Sequence, residues 1–475
     1  MINKDIDKSK LVLIRESGET IEDIKIETKE IGYYQDSWNR FKKNKASLTA
    51  FYIICFMLFF IIFGPWMKNY DLPKTNGNEA TRLAYLTPKI PGLEKLGIFD
   101  GTKTITLGKQ FVVYMYNSDF EDDIILEGMP QELIDDPNAE AYADITNLEV
   151  KVDYYKYINF IKSVIPSDYF AIVDQNASNG YEPGDIGYVD PLGSVSRTLE
   201  EEEFAEAVAK NYILEIISVT EQGVDDEKYY QYNVRVNEFL YALDQTPEDT
   251  YFWFGTNASG EDLFTELWVG ARISVFMALT VVVINAFIGL MLGAIAGYYG
   301  GAIDLLMDRI VEILASIPLL SVITLMVLRY GSEIWIIIIA FTLTNWIGNY
   351  ATARMQFYRF KNREYVLAAR TLGAKDSRIM FKHIFPNTLG LLVTRYALSI
   401  PVFVFTEANF SFLGIIDYSN ATSVGMLINQ GQDKMGTYPH LLLFPAIYIS
   451  ILMIAFNLFG NGLRDAFNPS LRGVE

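Results

Sequence analysis

The chain has 475 residues, with 39 Lys and Arg against 58 Asp and Glu and a formal net charge of -19, a balance that repels nucleic acid and anionic lipid. Hydrophobic residues make up 51% and charged ones only 20%, which points to a membrane protein carrying a sizeable soluble part. Two histidines and one cysteine exclude a paired-histidine metal centre, a Ser-His hydrolase and a disulfide framework.

Residues 1–45 form a polar N-terminal segment, too long to lead a cleaved signal sequence, so the apolar stretch 46–66 reads as a first transmembrane helix. Arg40, Lys42, Lys43 and Lys45 lie just before it and place that end in the cytoplasm. Residues 67–260 are then extracellular and hold about 35 Asp and Glu against about 14 Lys and Arg. Runs rich in Val, Ile, Tyr and Phe at Ile105 to Tyr116, Leu148 to Ile161, Tyr169 to Asp174, Tyr212 to Val219 and Tyr229 to Leu243 predict strands, and Leu199 to Ala209 a helix. This α+β domain of roughly 200 residues can bury its own core. Disulfides are excluded from it because Cys55 lies in the first span. Asp174-Gln-Asn176-Ala-Ser178-Asn-Gly180 has the Asx spacing of a calcium loop, but Gly180 falls one place late and no Glu follows at the bidentate position, so it reads as a solvated turn. The acidic runs Glu121 to Asp123 and Glu200 to Glu203 read as solvated faces, and Pro183-Gly184-Asp185 as a tight turn.

The membrane core follows at 261–464. Its five further apolar segments run from Ile273 to Gly297, Ile310 to Leu328, Ile334 to Tyr350, Thr388 to Phe405 and Leu441 to Leu458. Arg354, Arg359, Lys361, Arg363, Arg370, Lys375, Arg378 and Lys382 crowd the loop after the fourth span and mark it as cytoplasmic, and six spans bring the tail 465–475 inside as well. Gly289, Gly293 and Gly297 make a small-residue face for close helix contact, either within the chain or at a seam with another subunit. Pro318, Pro401 and Pro445 predict kinks. Burying polar groups in lipid is costly, so Asn345, Asn349, Glu407 and Asn409 are candidates for lining a hydrated path, with Glu407 facing either the path or an interhelical partner, while Arg395 is expected to snorkel to the cytoplasmic headgroups.

The cytoplasmic loop 357–387 carries the densest information. Glu364, Ala368 and Arg370 to Leu372 sit in helix-forming sequence, and Ala368 and Ala369 leave a surface that another protein can approach closely. Gly373 stands where a helix takes a left-handed terminal residue, followed by Ala374. Asp376 or Ser377 can cap a second short helix through Ile379, Met380, Phe381 and Ile384, which Pro386 is expected to stop. Periodicity alone also allows an amphipathic loop on the headgroups. His383 fits a packing role, and His440 stands alone near the outer boundary. There is no Gly-x4-Gly-Lys-Ser/Thr loop to bind ATP.

Glu364-x3-Ala368-Ala369-x3-Gly373-x9-His383-Ile-x-Pro386-Asn387 resembles the "EAA" loop of binding-protein-dependent ABC importers. The segment Phe254 to Ser274, Gly297-Tyr-Tyr-Gly-Gly301, Glu407 to Gly414, Asn457 to Pro469 and Trp38 to Lys45 resemble further signatures of the C-type permeases of oligopeptide, dipeptide and nickel (Opp/Dpp) importers. The resemblance covers residues 38–66 and 252–472. It departs at Asn257, Glu261 and Glu266, and in the long acidic insert. It implies a six-helix importer permease fold in a plasma membrane, into which the α+β extracellular domain read from the strand-like runs is inserted between helices 1 and 2; the single cysteine and the large exposed domain suit a Gram-positive envelope. It further implies uptake of oligopeptides by a non-catalytic subunit, with a second, B-type permease completing the path and a lipid-anchored receptor delivering peptide. ATP and Mg would be bound by two cytoplasmic ATPases, and Glu364, Ala368, Ala369, Arg370, Gly373 and Ala374 would couple to them. Dipeptide or nickel uptake, and a peptide-sensing receptor role, are the alternatives.

Overall fold

In lipid every backbone polar group must be satisfied within its own segment, and the long apolar runs of this chain accordingly fold as helices in the computed structural model. The structure describes residues 33–67, 83–164, 196–222, 229–418 and 421–467, with short breaks at 119, 121, 137–138 and 143, and the isolated residues 173, 175 and 178. The Asp174 to Gly180 turn as a motif, the Tyr169 to Asp174 run, the Pro183 turn, residues 1–32 and the end of the tail lie outside the described residues.

A short amphipathic helix, Tyr33–Lys43, turns at Asn44 into the helix Lys45–Phe63, the Asn44 side chain accepting from the Ser47 amide. Segments 45–66, Leu263–Tyr299, Asp376–Phe412 and His440–Phe467 are each long and apolar enough to cross a membrane. Two bent pairs, Gly301–Ala315 with Leu319–Tyr330 (69°) and Ile334–Asn345 with Ile347–Phe360 (41°), bring the number to six if each counts as one span. Pro318 occupies the first break. Pro401 and Pro445 are accommodated inside long helices. The glycine face resolves as packing within the chain: a methyl group on Gly293 would fall 2.5 Å from the Tyr350 carbonyl oxygen, and one on Gly289 2.8 Å from that of Trp346. Helix 347–360 therefore lies directly on helix 263–299.

The second short helix of the cytoplasmic loop departs from expectation. Asp376–Arg378 passes into a π-helical turn, Ile379–Ile384, which continues without interruption into Phe385–Phe412. Pro386 does not stop it, because Pro386 sits in the first turn of the new helix, where a missing N–H costs nothing. Neither Asp376 nor Ser377 caps; Lys375 is the cap residue and contributes no side-chain bond.

Between helices 45–63 and 263–299 stand two three-stranded antiparallel sheets, ordered β1-β3-β2 and β4-β6-β5. Their strands are β1 (Thr102–Gly108), β2 (Ile125–Glu127), β3 (Asn147–Asp153), β4 (Arg197–Glu200), β5 (Ile213–Gln222) and β6 (Tyr229–Val236). Three of the predicted strand runs are half helix: β1, β3 and β6 lead into the helices Lys109–Tyr116, Tyr154–Ser163 and Glu238–Leu243. The switch after β3 is made by Asp153, which accepts from the Tyr155 and Lys156 amides, and after β6 by Asn237, which accepts from Leu240. The helix of the second sheet, Glu201–Ala209, falls within the predicted run but begins after β4. Asn159 and Ser163 join the two halves by accepting from the Phe239 and Glu238 amides.

The first sheet is seated on the loop before the last spanning helix. Tyr438 stacks on Tyr85 at 4.5 Å, shares a hydroxyl hydrogen bond of 3.1 Å with Tyr154, and carries the Lys103 ammonium 3.6 Å above its ring. Phe254 stacks on Phe444 at 4.0 Å beside it.

Candidate functional site

The cytoplasmic helix Glu364–Thr371 ends in a Schellman motif: the Gly373 amide donates to the Arg370 carbonyl at 3.0 Å and the Ala374 amide to that of Ala369 at 3.1 Å. The geometry needs a left-handed residue, and Gly373 supplies it at φ +79°. Val366 packs into a cluster with Ala294, Tyr298, Phe357, Ile379 and Ile384, Ala374 lies against it, and Ala369 is buried as well. Glu364, Tyr365, Leu367, Ala368, Arg370 and Leu372 face out, with Leu372 87% exposed.

One hydroxyl ties this helix to the membrane core. Tyr298, at the end of helix 263–299, donates to Asp376 Oδ1 at 2.6 Å and accepts from Arg370 Nη2 at 3.3 Å, so both short helices of the loop are pinned to one span. Next to it, Arg354 pairs with Asp304 (2.8 Å from Nη2 to Oδ2) and with Asp308 (3.4 Å), joining helix 347–360 to helix 301–315. Tyr298 and Asp376 were not singled out as a pair from the sequence; the Gly-Tyr-Tyr-Gly-Gly run beside the span was the available signal.

A second feature lies inside the membrane region. Asn285, Asn345, Asn349, Arg395, Ser399 and Thr406 are among the residues lining a cavity of about 200 Å³ between helices 263–299, 334–360 and 385–412. Two of the four predicted path residues, Asn345 and Asn349, are brought together there; Glu407 and Asn409 are not among its lining. The Glu407 carboxylate is fully buried, accepting from Ser274 (3.1 Å), Ser411 (3.1 Å) and Tyr418 (3.2 Å), so of its two expected settings it takes the interhelical one. Asn409 is exposed and donates to its own helix at the Phe405 carbonyl. Arg395, expected to snorkel toward the headgroups, has its guanidinium beside Gly348 in the cavity wall. Asn285 and Ser399 were missed because single polar residues in an apolar helix do not reveal which neighbours they meet.

Residues 289–473 match the family of binding-protein-dependent transport system inner membrane components, and residues 32–88 the N-terminal transmembrane domain of oligopeptide transport permease C. The oligopeptide transport system permease protein OppC of Bacillus subtilis (strain 168) is 41% identical over 244 residues, covering 51% of this chain and 79% of that protein. The dipeptide transport system permease protein DppC of the same organism is 41% identical over 227 residues, covering 48% and 71%. Among solved structures, a chain of the inward-facing MetNI methionine ABC transporter aligns with 42% of this chain and 97% of its own at 17% identity, with a TM-score of 0.35.

Proposed function

The chain belongs to the C-type peptide permeases of binding-protein-dependent ABC transporters, and from that premise we propose that it forms half of a translocation path for oligopeptides and takes its energy from cytoplasmic ATPases. A B-type permease completes the path, and two ATPase subunits bind ATP and Mg. Six spans place both termini in the cytoplasm and residues 67–260 outside, where a lipid-anchored receptor delivers peptide.

The observation that carries this reading is the helix 364–371. Its outer face is exposed, its end is locked by Gly373, its inner face is buried through Val366, and Arg370 in its last turn is tied through Tyr298 to a spanning helix. A groove on an ATPase that closes around the outward-facing Glu364, Ala368, Arg370 and Gly373 moves the spans as a rigid body; Ala369 and Ala374, expected from the sequence to share that face, are turned toward the core and support it from beneath. ATP selects among permease states because the docked helix sits differently in each. Asn345 and Asn349 line the path, while Glu407 holds helices 263–299 and 385–412 together beside it.

For the acidic domain we propose a receptor dock: it is seated on the permease through Tyr438 and Phe444, on the side where substrate arrives. Peptide accumulation by proteoliposomes holding the full complex tests the function. ATP-dependent uptake that vanishes when this subunit is omitted is the expected result, and signalling or receptor binding without accumulation overturns it.

A further inference from the structure

Arg395 is an arginine in the middle of a spanning segment, and its guanidinium has no hydrogen bond or ion pair among the described residues, only its backbone carbonyl accepting from Ser399 Oγ at 2.9 Å. The segment runs from Asp376 to Phe412, and Arg395 lies near its midpoint, well inside the apolar run from Thr388 to Phe405. A cation at that depth normally faces protein or a hydrated cavity and has a partner. Here the guanidinium lies against Gly348, where a methyl group would fall 3.0 Å from Nη2. It faces the cavity that Asn285, Asn345, Asn349 and Ser399 also line.

A second observation points to a ligand in the same place. Asn285 is 4% exposed, at mid-length of helix 263–299, and its Oδ1 has no hydrogen-bond partner among the described residues although it lines the cavity. An orphaned buried carbonyl is costly unless something supplies a donor. The third wall is the break between helices Ile334–Asn345 and Ile347–Phe360, bent by 41°, and broken helices at mid-depth are where membrane transporters present polar groups to cargo.

We propose that this cavity is a way-station for the peptide, in which Arg395 pairs with its C-terminal α-carboxylate and Asn285 accepts from a peptide N–H. The α-carboxylate is the one anion that every linear peptide brings, whatever its side chains, and the planar guanidinium can hold it with two parallel bonds. Selection at this point is for a free C-terminus and not for sequence. The inference rests on the transport reading and deepens it.

The test compares a linear peptide with its C-terminally amidated form, each at receptor-saturating concentration, in proteoliposomes containing the complete complex. Arg395→Gln is expected to lower the ratio of free-acid to amide uptake about tenfold, Arg395→Lys to recover part of it, and Gly348→Val, which displaces the guanidinium but keeps its charge, to lower it as well. An unchanged ratio for Arg395→Gln overturns the proposal, as does its separation from the partner permease, which would assign Arg395 to a subunit interface. A wild-type complex that imports neither peptide overturns the transport reading itself, and an unchanged ratio in a transporting complex overturns only the carboxylate site.

Discussion

Gly373 carries no side chain that could touch a partner, yet its φ of +79° fixes the end of the outward-facing helix. A methyl group there meets nothing within 4 Å, so Gly373→Ala acts through backbone strain alone, about 1–2 kcal/mol against the left-handed conformation. We expect ATPase binding to weaken several-fold while the spans stay folded, measured by co-purification of the ATPases. Tyr298→Phe deletes two hydrogen bonds worth about 1 kcal/mol each and leaves the packed ring in place. Fewer peptides carried per ATP hydrolysed, at unchanged ATPase binding, is the expected outcome. Glu407→Leu leaves the Ser274, Ser411 and Tyr418 hydroxyls without their acceptor and should cost about 1–3 kcal/mol for each group left unsatisfied, read as a lower unfolding temperature of the purified subunit. Gly373 was legible in the sequence because its demand is local. The surroundings of Glu407 and Arg395 were not, since both were read as polar groups in apolar helices and only the neighbouring helices decide whether such a group meets hydroxyls or a cavity.

Among the elements, helix 263–299 organises the rest. Its glycine face admits the backbone of helix 347–360, and Gly293→Leu drives a side chain into the Tyr350 carbonyl. Failure of the subunit itself to fold, in the absence of any partner, is the expected result; normal folding with loss only of pairing to a second permease would move that face to a seam. The clamp between the acidic domain and the membrane core makes a pH-dependent prediction. Burial pulls the Lys103 ammonium down to about 8 from its usual 10.5. Below about pH 8 it is charged in both folded and unfolded chains; between about 8 and 10.5 only the unfolded chain keeps the proton, so stability rises across that window. Lys103→Met should flatten that rise relative to wild type in thermal unfolding. The helix periods were readable from apolar spacing, whereas the strand runs concealed helices because Tyr, Phe and Ile suit both states until a cap such as Asp153 or Asn237 decides. Pro386 misled for a related reason: a proline ends a helix only if the chain is not already entering a new one.

At the scale of the whole molecule, a multi-pass helical permease carries two joined three-stranded sheets seated on the loop before its last spanning helix. The permease half was legible because its loop and flanking segments carry recognisable spacing, and the family models match there, at residues 289–473 and 32–88. The acidic domain was legible only as an ordered α+β unit, since its sheet order and its seat on Tyr438 depend on pairings distant in sequence. Replacing residues 75–245 by a short linker should leave ATP-driven motions of the permease intact and reduce receptor binding; unchanged receptor affinity and uptake would remove the docking role. The central claim is that the helix 364–371 transmits ATPase closure to the spans. Its most direct test is peptide uptake per ATP hydrolysed by the reconstituted complex, comparing wild type with Glu364→Lys and Gly373→Asp. Loss of uptake in complexes that remain assembled and still hydrolyse ATP is the predicted result, and undiminished uptake in both variants would contradict it.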